Sequence, residues 1–182
     1  MKRLLTIVGP NGVGKSTTAK MIVQKRAYTA FVDAEWCRCV NPFGFNESTK
    51  QTVFDNIYCL LHNYLCNNEI DTVIFAYGWH GERKCIYDKV IDKLEKSGIS
   101  FQETVIVLKC SESENIKRCI ADCREEERIK RGMEKTFNFY EELDYPYIDT
   151  TNMTPDEVAE HIISLMQQQA PLCKGSCRHC VD

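Results

Sequence analysis

The sequence predicts an α/β domain: a parallel sheet with helices on both faces. Three observations carry this. Short runs rich in Val, Ile, Leu and Phe alternate along the chain with segments of helical periodicity. The first of these runs passes directly into a glycine-rich turn that opens a helix. No internal repeat or linker-like stretch divides residues 1–170, which read as one domain.

Composition narrows the field. A chain of 182 residues with 43% hydrophobic and 27% charged residues has the make-up of an ordinary globular domain. A net charge of −3 gives no electrostatic footprint for a nucleic-acid partner. No apolar stretch approaches a membrane span, so no membrane partner is expected. Lys2 and Arg3 precede an apolar run too short for a leader, and the chain reads as cytoplasmic. In a reducing compartment most of the eleven cysteines, among them Cys59, Cys66, Cys85, Cys110, Cys119 and Cys123, are expected to act as small buried hydrophobes.

Leu4–Val8 is the first strand and Thr17–Arg26 continues the first helix. Tyr28–Val32 is a second strand ending at Asp33, and Ala34–Asn46, with Pro42 and Gly44, is a loop rich in aromatics. Ser48 is placed to cap a helix running to about Asn67, with Val53, Ile57, Leu61 and Leu65 on one face. Thr72–Tyr77 is a fully apolar, parallel-type strand. Glu82–Ser97 has helical spacing stopped by Gly98, and Thr104–Leu108 is a fourth strand. Ser111 opens a helix whose later part, Arg118–Lys135, is densely charged. Tyr147–Asp149 is a brief last strand, and Thr154-Pro155-Asp156-Glu157 begins a closing helix with cap, proline and acidic first turn in agreement.

The chemistry concentrates at LLTIVGPNGVGKST, Leu4 to Thr17, where GxxxxGK[ST] matches at Gly9, Gly14, Lys15 and Ser16. Glycines there let the backbone fold tightly, with N–H groups of Asn11, Gly12, Val13, Gly14 and Lys15 turned inward around a phosphate chain. The helix beginning near Lys15 adds its positive N-terminal field. Lys15 suits the β- and γ-phosphates, and Ser16, followed by Thr17, suits Mg²⁺. The pattern implies a nucleoside triphosphate, ATP with Mg²⁺. The Asn-Lys-x-Asp guanine-reading motif is absent, and the third strand ends in Ala76-Tyr77-Gly78-Trp79-His80 without the carboxylate that motor-type ATPases place there.

Over about residues 1–169 the chain resembles the small P-loop kinases: nucleoside monophosphate, shikimate and gluconate kinases and chloramphenicol phosphotransferase. The resemblance rests on the phosphate loop, Asp33 after the second strand, an arginine-bearing helical segment and Ile148-Asp149-Thr150 before Thr154-Pro155-Asp156-Glu157-Val158. It implies a three-layer P-loop fold with five strands in the order 2-3-1-4-5, a small helical lid at about 118–136, and phosphoryl transfer from ATP to a small-molecule acceptor. It places Asp33 as a Mg²⁺ ligand or as the base for the acceptor hydroxyl. Arg118 becomes the arginine over adenine, and Arg124 and Arg128 the lid arginines that reach the transferred phosphate. The missing acid after strand three departs from the nucleotide kinases.

For the acceptor, Glu35 makes Asp-x-Glu with Asp33. Trp36, Phe43 and Phe45 are placed to wall a ring-bearing compound such as a nucleoside or nucleotide. Trp79 and His80 follow strand three, where related kinases meet the acceptor. A second class stays open: a nucleotide-dependent switch without an acceptor, acting through the tail at 171–182. That tail carries Cys173-x3-Cys177-x2-Cys180 and His179. The spacing is shared with radical-SAM clusters, which need another fold, and adjacent His179 and Cys180 crowd a zinc shell.

Overall fold

A computed structural model describes residues 1–168; the cysteine tail lies outside the described residues. Five parallel strands form one sheet in the order β2-β3-β1-β4-β5. They are β1 (Lys2–Val8), β2 (Thr29–Asp33), β3 (Thr72–Ala76), β4 (Phe101–Lys109) and β5 (Tyr147–Asp149). The central strands β1 and β3 align Leu4 with Val73 and Ile7 with Ala76, so their carboxyl ends finish together. Asp33 pairs with Ala76 across β2 and β3, which brings the loops after all three strands to one edge.

The period of two along β1 separates two cores. Leu4 and Val8 face one layer with Val73 and Phe75, covered by α2 (Glu47–Cys66) and α3 (Arg83–Lys96). Leu5 and Ile7 face the other with Ile74, Ile106 and Leu108, covered by α1 (Lys15–Lys25) and α7 (Pro155–Gln168). The stripe on α2 is Val53, Ile57, Leu61 and Leu65, one residue per turn and all buried.

Several boundaries differ from the sequence expectation. Asn46, not Ser48, caps α2, its Oδ1 accepting from Thr49 N at 2.9 Å. The charged stretch 118–135 is not one helix. Helix α4 (Glu112–Ala121) stops at Asp122, and Cys123 takes a positive φ of 54° before α5 (Glu126–Gly132) begins. A five-residue wide helical turn (Met133–Phe137) and α6 (Asn138–Glu141) return the chain to the core at the fully buried Tyr140. Cys59, Cys66, Cys85 and Cys123 are exposed, because they lie on the solvent sides of their elements or in the turn after α4. Only Cys37, Cys110 and Cys119 are buried among the described residues. The Thr154 cap is as expected: Glu157 Oε2 accepts from Thr154 N at 2.7 Å, and Thr154 Oγ1 accepts from Glu157 N at 3.3 Å.

Candidate active site

At the carboxyl edge of the sheet lies a cleft of about 730 Å³ that gathers residues from the turn after β1 and from α1, β2, β3, α3, α4, α5 and α7. Its floor is the turn Gly9–Gly14 leading into α1. Gly9, Gly12 and Gly14 all have positive φ, at 148°, 88° and 103°. At Gly12 a side chain is doubly barred: the conformation is left-handed, and a Cβ would come within 2.4 Å of Cys119 Sγ. Outside the loop, α4 grips its carbonyls. Asn115 Nδ2 donates to Asn11 O at 3.1 Å and Arg118 Nη1 donates to Val13 O at 3.2 Å. With those carbonyls engaged from behind, Val13 N donates back to Pro10 O at 3.4 Å and the other loop N–H groups are left for the cleft. Helix α1 has Gly14 at its cap, no side-chain cap and no acidic residue in its first turn, so its N-terminal field is unneutralised.

Lys15 is half-buried, and its Nζ donates to Gly9 O at 2.9 Å and Pro10 O at 2.8 Å. Desolvation pushes its pKa down to about 8, against the opposing pull of Glu35 and Asp33, with Arg124 and Arg38 adding to the fall. These charges all act on the Lys15 ammonium, which ties Asp33, Glu35 and Arg124 to the phosphate loop electrostatically.

Asp33, 7% exposed at the end of β2, lines the cleft, and its Oδ1 accepts from Glu35 N at 2.9 Å. Glu35 is exposed at the rim and ion-paired to Arg38. Partial burial works against its ionisation, but the Arg38 guanidinium outweighs it and holds the carboxyl below the usual range. Ser16 and Thr17 line the same floor. Arg118 spends its guanidinium on the protein: Nε bonds Glu114 Oε1 at 3.0 Å, Nη1 bonds Thr150 Oγ1 at 2.9 Å and Nη2 bonds Thr150 O at 2.7 Å. It lines the cleft wall. Arg124, held by Asp122 at 3.0 Å, and Arg128 enter from the segment after α4.

The structure does not bring the proposed aromatic wall to the cleft. Trp36 is 59% exposed and packs edge-on against Phe31 at 5.4 Å, on the outer side of β2. Phe43 pairs with Phe45 at 6.0 Å in the loop before α2, away from the cleft lining. Trp79 is 1% exposed, packed in the core between Tyr87 and Tyr145, so it makes no acceptor contact. His80 stands one layer behind the wall, where its Nε2 accepts from Arg83 Nη1 at 2.5 Å. In their place the cleft holds Tyr77, Arg38 and Arg83. Sequence reading passed over Arg83, although a signal existed: it is the first residue of α3, where the helix field disfavours a cation.

Six cationic side chains and four carboxylates line this cleft in a chain whose net charge is −3. Positive charge is therefore concentrated where the loop N–H groups point, and the donor set fits a polyphosphate. Ser16 and Asp33 offer hard oxygens of the kind Mg²⁺ takes beside phosphate and water.

No protein-family model and no curated sequence matches the chain. Solved structures do. A shikimate kinase from Acinetobacter baumannii in complex with shikimate is 14% identical with a TM-score of 0.61, covering 93% of this chain and 96% of that one. A gluconokinase from Sinorhizobium meliloti is 13% identical at TM-score 0.59, over 93% and 98%. A tunicamycin resistance protein from Deinococcus radiodurans is 15% identical at TM-score 0.62, over 91% and 96%. The fold is that of the P-loop small-molecule kinases, as the sequence led one to expect. No helix among the described residues is long and apolar enough to cross a membrane.

Proposed function

We propose that this protein is an ATP- and Mg²⁺-dependent phosphotransferase that moves the γ-phosphoryl group to a hydroxyl of a small-molecule acceptor. One observation supports this above the rest: the phosphate loop, Asp33 and the arginines after α4 converge on a single cleft. Phosphoryl transfer asks little covalent chemistry of a protein and much positioning and charge stabilisation. The loop N–H groups and Lys15 bind the phosphate chain. Ser16 and Asp33 would hold Mg²⁺, which would supply neutralisation of the phosphate charge. Asp33 orients the acceptor hydroxyl and takes its proton, and Arg124 and Arg128 stabilise charge spread over the transferred group.

The acceptor's side of the cleft is Tyr77, Glu35, Arg38 and Arg83, which is polar and charged where the sequence had suggested aromatic rings. The test is ADP release from MgATP in the presence and absence of hydroxylated acids, phosphorylated alcohols, nucleosides and neutral polyols. One compound class should stimulate release strongly, and Lys15→Ala should abolish it. Tight ATP binding with slow hydrolysis that no compound stimulates would contradict the kinase reading and favour a nucleotide switch.

A further inference from the structure

Of the five arginines around the cleft, three have carboxylate partners, Arg38 with Glu35, Arg118 with Glu114 and Arg124 with Asp122, while Arg83 and the more exposed Arg128 have none among the described residues. Arg83 is half-buried. Its side-chain partner is His80, whose Nε2 lies 2.5 Å from Arg83 Nη1. A guanidinium has no acceptor, so the imidazole accepts at Nε2 and carries its proton on Nδ1. His80 Nδ1 in turn lies 3.3 Å from Tyr140 Oη, which also accepts from Trp79 N at 2.7 Å. Tyr140 is fully buried, so this chain of contacts is anchored in the core.

The arrangement has a specific electrical consequence. A carboxylate in the place of His80 would orient Arg83 and also neutralise it. A neutral imidazole orients it and leaves its full charge exposed to the cleft. Burial, with Arg83, Lys15 and Arg38 nearby, pushes the pKa of His80 down to about 4, so the ring is neutral at physiological pH. Burial and Arg38 also press on Arg83 itself, lowering its pKa. The site therefore holds an unneutralised, partly desolvated cation beside a second arginine, at the acceptor side and at the N-terminus of α3. Each of these features raises the free energy of the ligand-free protein and is relieved by an anion.

We propose that Arg83 is the acceptor-binding residue for an anionic oxygen group, carboxylate or phosphate, and that His80 and Tyr140 are positioning residues that aim it. The acceptor is then a small hydroxy compound bearing such a group, with Asp33 facing its hydroxyl. This rests on the kinase reading above and names the acceptor class for it.

The experiment saturates the phosphate loop with Mg-AMPPNP, a non-hydrolysable ATP analogue, and then titrates inorganic phosphate, D-glycerate or glycerol, reading heat of binding and thermal shift. Phosphate and glycerate report the two head groups, and glycerol is the neutral control. Stabilisation by Mg-AMPPNP alone tests the kinase reading; its absence would sink that reading and this one together. If it is present, at least one anion should bind where glycerol does not. Arg83→Gln should weaken that anion about tenfold while leaving Mg-AMPPNP binding unchanged, as expected for one lost charge-assisted contact. His80→Leu and Tyr140→Phe should weaken it in the same direction. His80→Gln, whose amide oxygen can accept from Arg83, should restore it, which a merely structural role for His80 would not produce. Arg83→Lys, which keeps the charge and the fold, should retain part of the affinity. Anion binding that is no better than glycerol, or that survives intact in Arg83→Gln, would overturn the proposal and leave the kinase reading standing.

Discussion

At the scale of single residues, the phosphate loop trades stability for readiness to bind. Lys15 is charged and partly desolvated, and its Nζ is satisfied only by the loop carbonyls of Gly9 and Pro10. Its pKa of about 8 has a visible consequence in pH profiles. The free enzyme loses the positive charge above that pH, whereas bound phosphate raises the pKa again. Hence kcat/KM for ATP should fall above about pH 8 while kcat persists to higher pH; a kcat/KM flat to pH 10 would be inconsistent with Lys15 as phosphate ligand. Gly12 gives a second test. Alanine there meets both a φ of 88° and Cys119 Sγ. Gly12→Ala should weaken MgATP by roughly tenfold or more, the scale of backbone strain. Adding Cys119→Ala should recover part of that loss, because it removes the collision and not the strain. Arg83→Gln should stabilise the ligand-free protein by about 0.3–1 kcal/mol, since it takes a cation away from a helix N-terminus. A lower melting temperature for Arg83→Gln would count against the strain described for this site.

At the scale of elements, α4 braces the phosphate loop. Its inner face presents Asn115, Arg118 and Cys119 to that loop, and the segment carrying Arg124 and Arg128 follows its C-terminus. Asn115 is buried with its amide divided between Asn11 O and the thiols of Cys110 and Cys119. Asn115→Ala leaves Asn11 O with only the weak Cys119 thiol contact at 3.7 Å and should cost about 1–3 kcal/mol in stability, with a raised KM for ATP and little change in kcat. Equal kcat and KM in that variant would remove α4 from the loop's support.

How much of this was legible depended on how local the cause was. The strand, turn and helix from Leu4 to Thr17 announced themselves, because phosphate-loop geometry is written in contiguous glycines. The closing helix did too, since Thr154 and Glu157 cap each other three residues apart. The break after α4 did not, because the positive φ at Cys123 is imposed on a residue with no special preference for it. The aromatic residues misled for a related reason. Aromatic content says that a ring must be buried or bound, and only tertiary packing decides which; Trp79 went to the core and Trp36 to the face of Phe31. Arg83 was not legible because a lone cation at the start of a helix has no motif, and only the packing of α3 against the sheet brings it to the cleft.

At the scale of the molecule, the two-layer core holds the carboxyl ends of β1, β2 and β3 level, and the cleft exists because they are level. Ile57, fully buried on α2, belongs to the same core cluster as Val32, Phe75 and Tyr77 near the carboxyl ends of β2 and β3. Ile57→Ala should destabilise the fold by about 2–5 kcal/mol through lost burial and the cavity left behind. His80 adds a pH term. Its folded pKa of about 4 lies below the ordinary 6.5, so the unfolded chain binds the extra proton first as pH falls. The stability associated with the neutral ring is complete above 6.5 and is lost on acidification towards about 4. In His80→Gln that portion of the melting-temperature profile should flatten, and an unchanged profile would show that the ring is not held neutral.

The alignment of strand ends puts Asp33 in the same cleft as the phosphate loop, and the proposed transfer turns on that residue. The direct measurement is the pair of constants for Asp33→Asn: turnover with a stimulating acceptor, and affinity for Mg-AMPPNP. The expected result is a loss of kcat of about a hundredfold or more, the usual worth of a positioned general base, with nucleotide affinity changed only a few-fold. Full turnover by Asp33→Asn would contradict the account, because the loop and the acceptor site would then meet at some other residue.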